Sequence, residues 1–165
     1  MEASLQAFTH AEDMADYKCD KCGHKGSSIR EQRFARLPDL LCLQIRRFDS
    51  TENKDHTEVE FPLRDLDMSP YFLRDKPGNV DDHHFKGSFI YDAYAVVIHS
   101  GGLRSGHYWS YVRDEYASDQ TQWHRFNDET VTPYSVRTQD DMRRLYKDGA
   151  GTAYIVFYQR RKPVR

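Results

Sequence analysis

The sequence is poor in cysteine, in long apolar segments and in charge of one sign. Three cysteines in 165 residues are too few for a disulfide framework, so a reducing compartment, the cytosol or the nucleus, is expected. No run approaches the ~20 apolar residues that cross a bilayer, and the first residues lack the pattern of a secretory signal. A formal net charge of −2 gives no reason to expect nucleic acid or a membrane surface as a partner.

The aromatic content and the apolar patterning predict one β-rich domain with a real core. The continuous apolar run at 40–45 predicts a central, buried strand, within which Cys42 is expected to be a small core residue. Helical turns are expected at 4–16, and a helix capped by Thr138 is expected at 138–149. The other predicted elements are strands at 28–36, 58–61, 89–98, 107–113, 121–127 and 152–158 and a long loop at 75–88. The whole is an α+β fold whose sheet is mainly antiparallel.

A predicted hairpin carries the residues of greatest chemical interest. If 107–113 pairs with 121–127, His107 lies opposite Asn127, whose amide can accept a hydrogen bond from one imidazole nitrogen. The other nitrogen is then free to act as a general base. Strand alternation places His107, Trp109 and Tyr111 on one face of the hairpin. The alternative is a solvated hairpin that contains His107 and Asn127 by chance, in which Trp109 serves only for packing.

Three glycines lie shortly before this histidine in the sequence. Gly101, Gly102 and Gly106 precede His107 and predict a loop that another backbone can approach closely.

A second group of reactive side chains lies near the amino terminus. Cys19 and Cys22 have the spacing of half a tetrahedral zinc site, and His10 or His24 is a possible third ligand. A structural zinc site needs four ligands, so a reduced pair without metal is an equally good interpretation.

The order of the motifs resembles that of the ubiquitin-specific proteases, the papain-like ubiquitin carboxyl-terminal hydrolases. His99-Ser-Gly, Gly106-His107-Tyr108, Tyr111, Trp123 and Phe126-Asn127-Asp128 resemble the family's histidine box. Other matching segments, in the family's order, are Tyr17-x-Cys19-x2-Cys22, Leu37-Pro38-x2-Leu41, Arg46-Arg47-Phe48, Phe61-Pro62-Leu63 and 153–158. Each motif alone is weak, but their succession covers nearly the whole chain.

The resemblance implies a role for each matching position. His107 would be the general base, Asn127 would orient it, and Asp128 would be a neighbouring acid that assists. The implied reaction is hydrolysis of a peptide or isopeptide bond after the carboxyl-terminal glycine of ubiquitin, through a thioester. Ubiquitin or a ubiquitinated protein is the implied partner. The implied substrate-binding residues, beside a channel for the Gly-Gly tail, are His99, Gly101, Gly102, Gly106 and Tyr108.

One departure from the family pattern is large. The family's nucleophile lies in an upstream Asn-x-Cys-Tyr box, which this sequence lacks. The chain therefore resembles the carboxyl-terminal part of the catalytic domain, with part of the fingers and the zinc-ribbon region at 1–36, the palm at 37–165, and no thumb. Cys19 and Cys22 match zinc ligands of the family. A complementary thumb segment or chain is an implied partner, without which the chain is expected to be inactive.

Two other functions stay open. One is a non-catalytic ubiquitin-binding or scaffolding module of the same fold, and the other is a small zinc-ribbon interaction domain. Loss of the thumb would expose the face that carries His107, and an apolar patch there predicts poor folding or dimerisation.

Overall fold

The computed structural model describes residues 1–73 and 87–162, so the predicted loop at 75–88 lies almost wholly outside the described residues. In chain order the elements are α1 (Glu2–Phe8), β1 (Glu12–Lys18), β2 (Lys25–Arg30), β3 (Leu40–Gln44), β4 (Leu66–Asp67), a 3-10 turn (Ser69–Tyr71), β5 (Ile90–Gly101), β6 (Gly106–Arg113), β7 (Gln122–Asn127), β8 (Thr130–Ser135), α2 (Gln139–Tyr146), β9 (Lys147–Asp148) and β10 (Gly151–Arg160).

The chain divides into two compact units. One comprises Met1–Leu37 with Met68–Lys86, and the other comprises Pro38–Asp67 with Gly87–Arg165. The division into fingers at 1–36 and palm at 37–165 stays a prediction.

The larger unit is built on an eight-stranded antiparallel sheet. Its main path runs β3-β10-β5-β6-β7-β8, while β4 pairs with β5 and β9 pairs with β10. The long strands β5 and β10 are central and supply much of the core, including the fully buried side chains of Tyr91, Val96, Ile98, Val156 and Tyr158. The predicted antiparallel α+β fold and the predicted hairpin are confirmed.

Helix α2 begins at its predicted cap. The Thr138 hydroxyl accepts a hydrogen bond from the Asp141 backbone N–H, and the Asp141 carboxylate accepts one from the Thr138 backbone N–H. The backbone N–H of Arg137 and the hydrogen bonds with Thr138 lower the pKa of Asp141. Leu145 and Tyr146, in the last turn of the helix, are its buried residues. This reciprocal capping explains why so short a helix is formed.

The run at 40–45 was predicted to be a central strand, and this prediction is wrong. β3 lies at one end of the main strand path, and among the described residues it pairs with β10 alone. Leu41 points inward and is buried, but Cys42 is exposed, so its predicted place in the core is also wrong. A continuous apolar run indicates that the side chains are apolar. It does not indicate how many strands pair with the backbone of that run.

Residues 58–61 form no strand, in contrast to the prediction. Phe61 is nevertheless buried, with its ring centroid 4.7 Å from that of Tyr146. The Tyr146 hydroxyl donates a hydrogen bond of 3.0 Å to the Phe61 carbonyl. The apolar signal at this position therefore reflects an anchored irregular segment that packs beside α2.

The smaller unit contains α1, the ribbon of β1 with β2, and the 3-10 turn. Thr9 directly follows α1, and its N–H and its hydroxyl both donate to the Leu5 carbonyl. The helical turns predicted at 4–16 are therefore only partly present, and the strand predicted at 28–36 lies at Lys25–Arg30. Neither α1 nor α2, the helices of the described ranges, has the length and apolar character needed to span a membrane.

Candidate active site

The predicted histidine hairpin is formed by β6 and β7. Ser110 pairs with Phe126 and Val112 pairs with His124. Continuing this register places Trp109 opposite Asn127, so His107 lies two residues beyond the position that was predicted for it. Residues two apart on a strand share a face, and diagonal neighbours are within reach of long side chains. The two side chains therefore still meet.

A short hydrogen bond joins His107 to Asn127. The Nε2 atom of the imidazole lies 2.5 Å from Oδ1 of the amide. An amide oxygen can only accept, so in the neutral ring Nε2 carries the hydrogen and Nδ1 keeps its lone pair. The His107 side chain is 46% exposed, which leaves the ring open to a reacting partner.

Asp128 lies just beyond this hydrogen bond. Its Oδ2 atom is 3.9 Å from Nε2 of His107, and its side chain is 76% exposed. Asp128 occupies the turn between β7 and β8 with a φ of 51°, a left-handed conformation in which aspartate is among the better-tolerated residues.

The glycine-rich segment forms a tight connection between β5 and β6. Gly101 has a φ of 97°, and a Cβ atom there would lie 2.7 Å from the Ser105 carbonyl oxygen. The Gly102 N–H donates to the same oxygen at 2.8 Å. Gly106 then pairs with Gly101 as β6 begins. The predicted loop is present, and its path requires glycine at 101.

His99 lies beneath this loop. It is 2% exposed, and its ring centroid is 4.5 Å from that of Tyr108, which is itself half exposed. Burial, followed by the nearby charge of Lys54, lowers the pKa of His99. The Lys54 ammonium donates a 2.5 Å hydrogen bond to the His99 carbonyl. His99 thus packs against the loop and exposes almost no surface to a substrate.

Asp148 is a site residue that the sequence analysis missed. Its Oδ2 atom accepts hydrogen bonds from Trp109 Nε1 at 2.9 Å and from the Tyr111 hydroxyl at 2.8 Å. Arg125 Nε lies 3.5 Å from the same oxygen. Trp109 and Tyr111 share the predicted face with His107. The carboxylate is 39 residues away in sequence from Trp109, and no local pattern connects the two.

The Cys19–Cys22 segment folds as a tight turn. The Gly23 N–H donates to the Cys19 carbonyl, and the Cys19 N–H donates to the His24 carbonyl. Hydrogen bonds from the backbone N–H groups of Cys22 and Lys21 lower the pKa of the Cys19 thiol. Within residues 1–73 and 87–162, no cluster of three or more His, Cys, Asp or Glu side chains has metal-binding geometry.

Cys42 lies far from the imidazole. It is in one cross-strand row with Phe157, Ala95 and Val112, three strand spacings or about 14 Å in all. Val112 is a further five residues, or about 17 Å, from His107 along β6. The separation is therefore roughly 20 Å. This distance excludes direct proton transfer between the Cys42 thiol and His107 in the folded chain.

The hairpin, the turn acid and the glycine loop all lie within the segment that matches a known family. Residues 4–158 match the family described as ubiquitin carboxyl-terminal hydrolase. The chain belongs to this family.

Relatives and solved structures agree with that assignment. Ubiquitin carboxyl-terminal hydrolase 3 of Mus musculus is 38% identical over 165 residues, covering 96% of this chain and 28% of the relative. The Homo sapiens protein of the same name is 39% identical, covering 93% of this chain and 27% of the relative. A chain of the SAGA DUB module of Ubp8, Sgf11, Sus1 and Sgf73 has a TM-score of 0.71 at 27% identity, covering 99% of this chain and 33% of that one. The chain thus spans about a quarter to a third of the length of these three proteins.

Proposed function

We propose that this chain supplies the base-bearing part of a deubiquitinase active site, in which His107 accepts the proton of a cysteine thiol. The observation that carries the proposal is the hydrogen bond from Nε2 of His107 to Oδ1 of Asn127. It leaves the lone pair of Nδ1 free, and this is the atom that would take the proton from sulfur. Asp128 would stabilise the imidazolium that results.

The attacking sulfur is proposed to come from outside these residues. Cys42 is roughly 20 Å from His107, beyond any proton-transfer distance. The chain spans 28% of its mouse relative, and the Asn-x-Cys-Tyr box of the family is not in this sequence. The nucleophile would be supplied by a complementary thumb segment, in the same polypeptide or in another one.

The proposed substrate is the carboxyl-terminal tail of ubiquitin. The chain belongs to a family named for ubiquitin carboxyl-terminal hydrolysis. Gly101, Gly102 and Gly106 lie at the two ends of the loop directly before His107, and a glycine-glycine tail fits best where the facing backbone also lacks side chains. The half-exposed Tyr108 is proposed to line the same channel.

Zinc is proposed as a structural cofactor of the Cys19–Cys22 turn. Two thiols in a turn with N–H groups directed at Cys19 match half of a tetrahedral site, and N–H donation favours the thiolate that zinc requires. Titration with Co²⁺ would test this, since cobalt–thiolate bonding gives a near-ultraviolet absorption band. We expect Cys22→Ser to abolish the band and Cys42→Ser to preserve it. Equal bands in both variants would contradict the proposal.

Cleavage of ubiquitin that carries a carboxyl-terminal fluorophore tests the main proposal. The chain is assayed alone and with an added family segment that contains the Asn-x-Cys-Tyr box. We expect hydrolysis only in the mixture, and we expect His107→Gln to reduce it by about 100-fold or more, the usual contribution of a general base. His124→Gln is the matched control, because His124 lies on the opposite face of the same hairpin.

Two results would overturn the proposal. Equal loss of hydrolysis in the His124→Gln and His107→Gln variants would assign the effect to folding. Ubiquitin binding in both arms without hydrolysis in either would favour a non-catalytic ubiquitin-binding or scaffolding module.

A further inference from the structure

The indole of Trp109 is held on several sides. Asp148 Oδ2 accepts its N–H at 2.9 Å, and the Arg125 guanidinium carbon lies 5.5 Å from the ring centroid. A Cβ atom added to Gly151 would overlap the outer edge of the indole and would lie 2.6 Å from Cγ2 of Ile98. The absence of a side chain at Gly151 is therefore what gives the indole its place against β10.

The carboxylate that holds the indole is itself fixed. The Tyr111 hydroxyl donates to the same Oδ2 atom at 2.8 Å. Burial, followed by the hydrogen bond to Asp148, raises the pKa of Tyr111, so the hydroxyl keeps its proton across the physiological range. Asp148 lies in β9, which is paired with β10 at Gly151. Asp148, which accepts the indole N–H, and Gly151, against which the indole packs, therefore belong to one hairpin.

The indole in turn flanks the imidazole. The ring centroids of His107 and Trp109 are 5.7 Å apart, and their planes are inclined by 30°. The Asn127 hydrogen bond holds this half-exposed ring at Nε2, and rotation about the Cβ–Cγ bond of His107 would break it. The Trp109 indole, which lies beside the imidazole, restricts this rotation.

We infer that Trp109, anchored by Asp148, is a positioning residue that holds the His107 imidazole in line with Asn127. The inference rests on the proposed function, because it concerns the orientation of the proposed base. Under this inference Trp109 has a role beyond packing. Asp148 also has a role in the site, although Asp148 contacts neither the substrate nor the base. Without the indole, the imidazole would sample orientations in which Nε2 loses the amide oxygen and both tautomers become populated.

Nitrogen NMR of the histidine side chains in the full chain tests this without any need for proteolysis. We expect one neutral His107 tautomer, protonated at Nε2, in the unmodified chain. Trp109→Phe keeps a ring but loses the N–H donor, and Asp148→Ala removes the anchor. In both variants we expect loss of the single-tautomer signal in favour of averaged or doubled signals. Trp123→Phe is the matched control, because Trp123 is a buried tryptophan outside this network, and it should leave the His107 signals unchanged.

The outcomes separate the two proposals. If Asn127→Ala leaves the tautomer unchanged, the orienting role of Asn127 in the proposed function is wrong. If Asn127→Ala disturbs the tautomer but Trp109→Phe and Asp148→Ala do not, only the positioning role is wrong. If Trp123→Phe disturbs it as much as Trp109→Phe does, the effect is general loosening, and the inference is also wrong. Should Trp109→Phe fail to fold, the Asp148→Ala variant decides.

Discussion

Gly106 lies directly against the buried ring of His99. A Cβ atom at this glycine would overlap Nε2 of the imidazole and would lie 2.5 Å from the Ser100 carbonyl oxygen. The need for glycine here is steric, since its φ is not in the left-handed region, whereas Gly101 has a φ of 97°. The glycines of the loop are thus required for different physical reasons.

Gly106→Ala should destabilise the chain. A methyl group forced against a buried ring and a backbone oxygen costs about 1–3 kcal/mol of the free energy of unfolding. Gly102→Ala is the control, because its nearest Cβ contact would be at 4.0 Å. We expect that variant to stay within about 0.5 kcal/mol of the unmodified chain in urea unfolding. Equal losses in the two variants would contradict the steric explanation.

Stability should fall as the solution is acidified below the ordinary pKa of histidine. Burial and Lys54 lower the pKa of His99 in the folded chain, so the unfolded chain binds a proton first. The stabilisation linked to the neutral ring is therefore complete above about pH 6.5 and is lost as the pH falls toward the lowered pKa. Urea unfolding at a series of pH values from neutral to mildly acidic measures this loss.

His99→Gln is the matched variant for the acid effect. It cannot titrate, so its free energy of unfolding, although lower at neutral pH, should decline less steeply on acidification. His124→Gln should retain the full slope if His99 is responsible. A His99→Gln slope as steep as that of the unmodified chain would assign the effect to other groups.

Patterns within one element were read correctly from the sequence. The Thr138 cap, the β6–β7 hairpin and the shared face of His107, Trp109 and Tyr111 all follow from alternation or capping chemistry over a few residues. The meeting of His107 with Asn127 was also predicted, although the register differs by two residues. The loop between the strands, whose length alone does not fix the pairing, accounts for that difference.

Properties that depend on distant segments were not predicted. Cys42 lies in a continuous apolar run, yet in the described part of the chain β3 has β10 as its single neighbour, and that pairing joins segments more than 100 residues apart. The Asp148 hydrogen bonds with Trp109 and Tyr111 are likewise formed only when β9 folds back onto β10. Residues 58–61 resembled a strand, but within the described residues they pair with no strand, and Phe61 is buried in an irregular segment.

The hydroxyl of Thr138 should account for about 1 kcal/mol of stability. Thr138→Ala leaves the Asp141 N–H without its acceptor at the start of α2, and loss of such a cap typically costs this amount. Thr138→Ser keeps the hydroxyl and should retain most of the stability. Urea unfolding of the two variants distinguishes loss of the cap from loss of the methyl group, which would affect both alike.

The isolated chain is expected to self-associate or to fold poorly. The exposed apolar side chains of β6, β7 and β8 include Tyr108, Phe126 and Val131. The register places Phe126 beside Ser110 and Val131, on the face opposite to His107, so the face predicted for the patch is wrong. We expect sedimentation to detect species larger than the monomer, diminished by Phe126→Ser with Val131→Thr. A sharp thermal transition of a monomer well above room temperature would contradict this expectation.

Cys42 should be reactive toward thiol reagents and irrelevant to proteolysis. Its side chain is exposed on an edge strand, so a maleimide should modify it in the folded chain without denaturant. Because the thiol is roughly 20 Å from His107, Cys42→Ala should leave hydrolysis by the complemented mixture unchanged. Hydrolysis by the chain alone that disappears in Cys42→Ala would require the sulfur and the imidazole to meet, which this strand order does not permit.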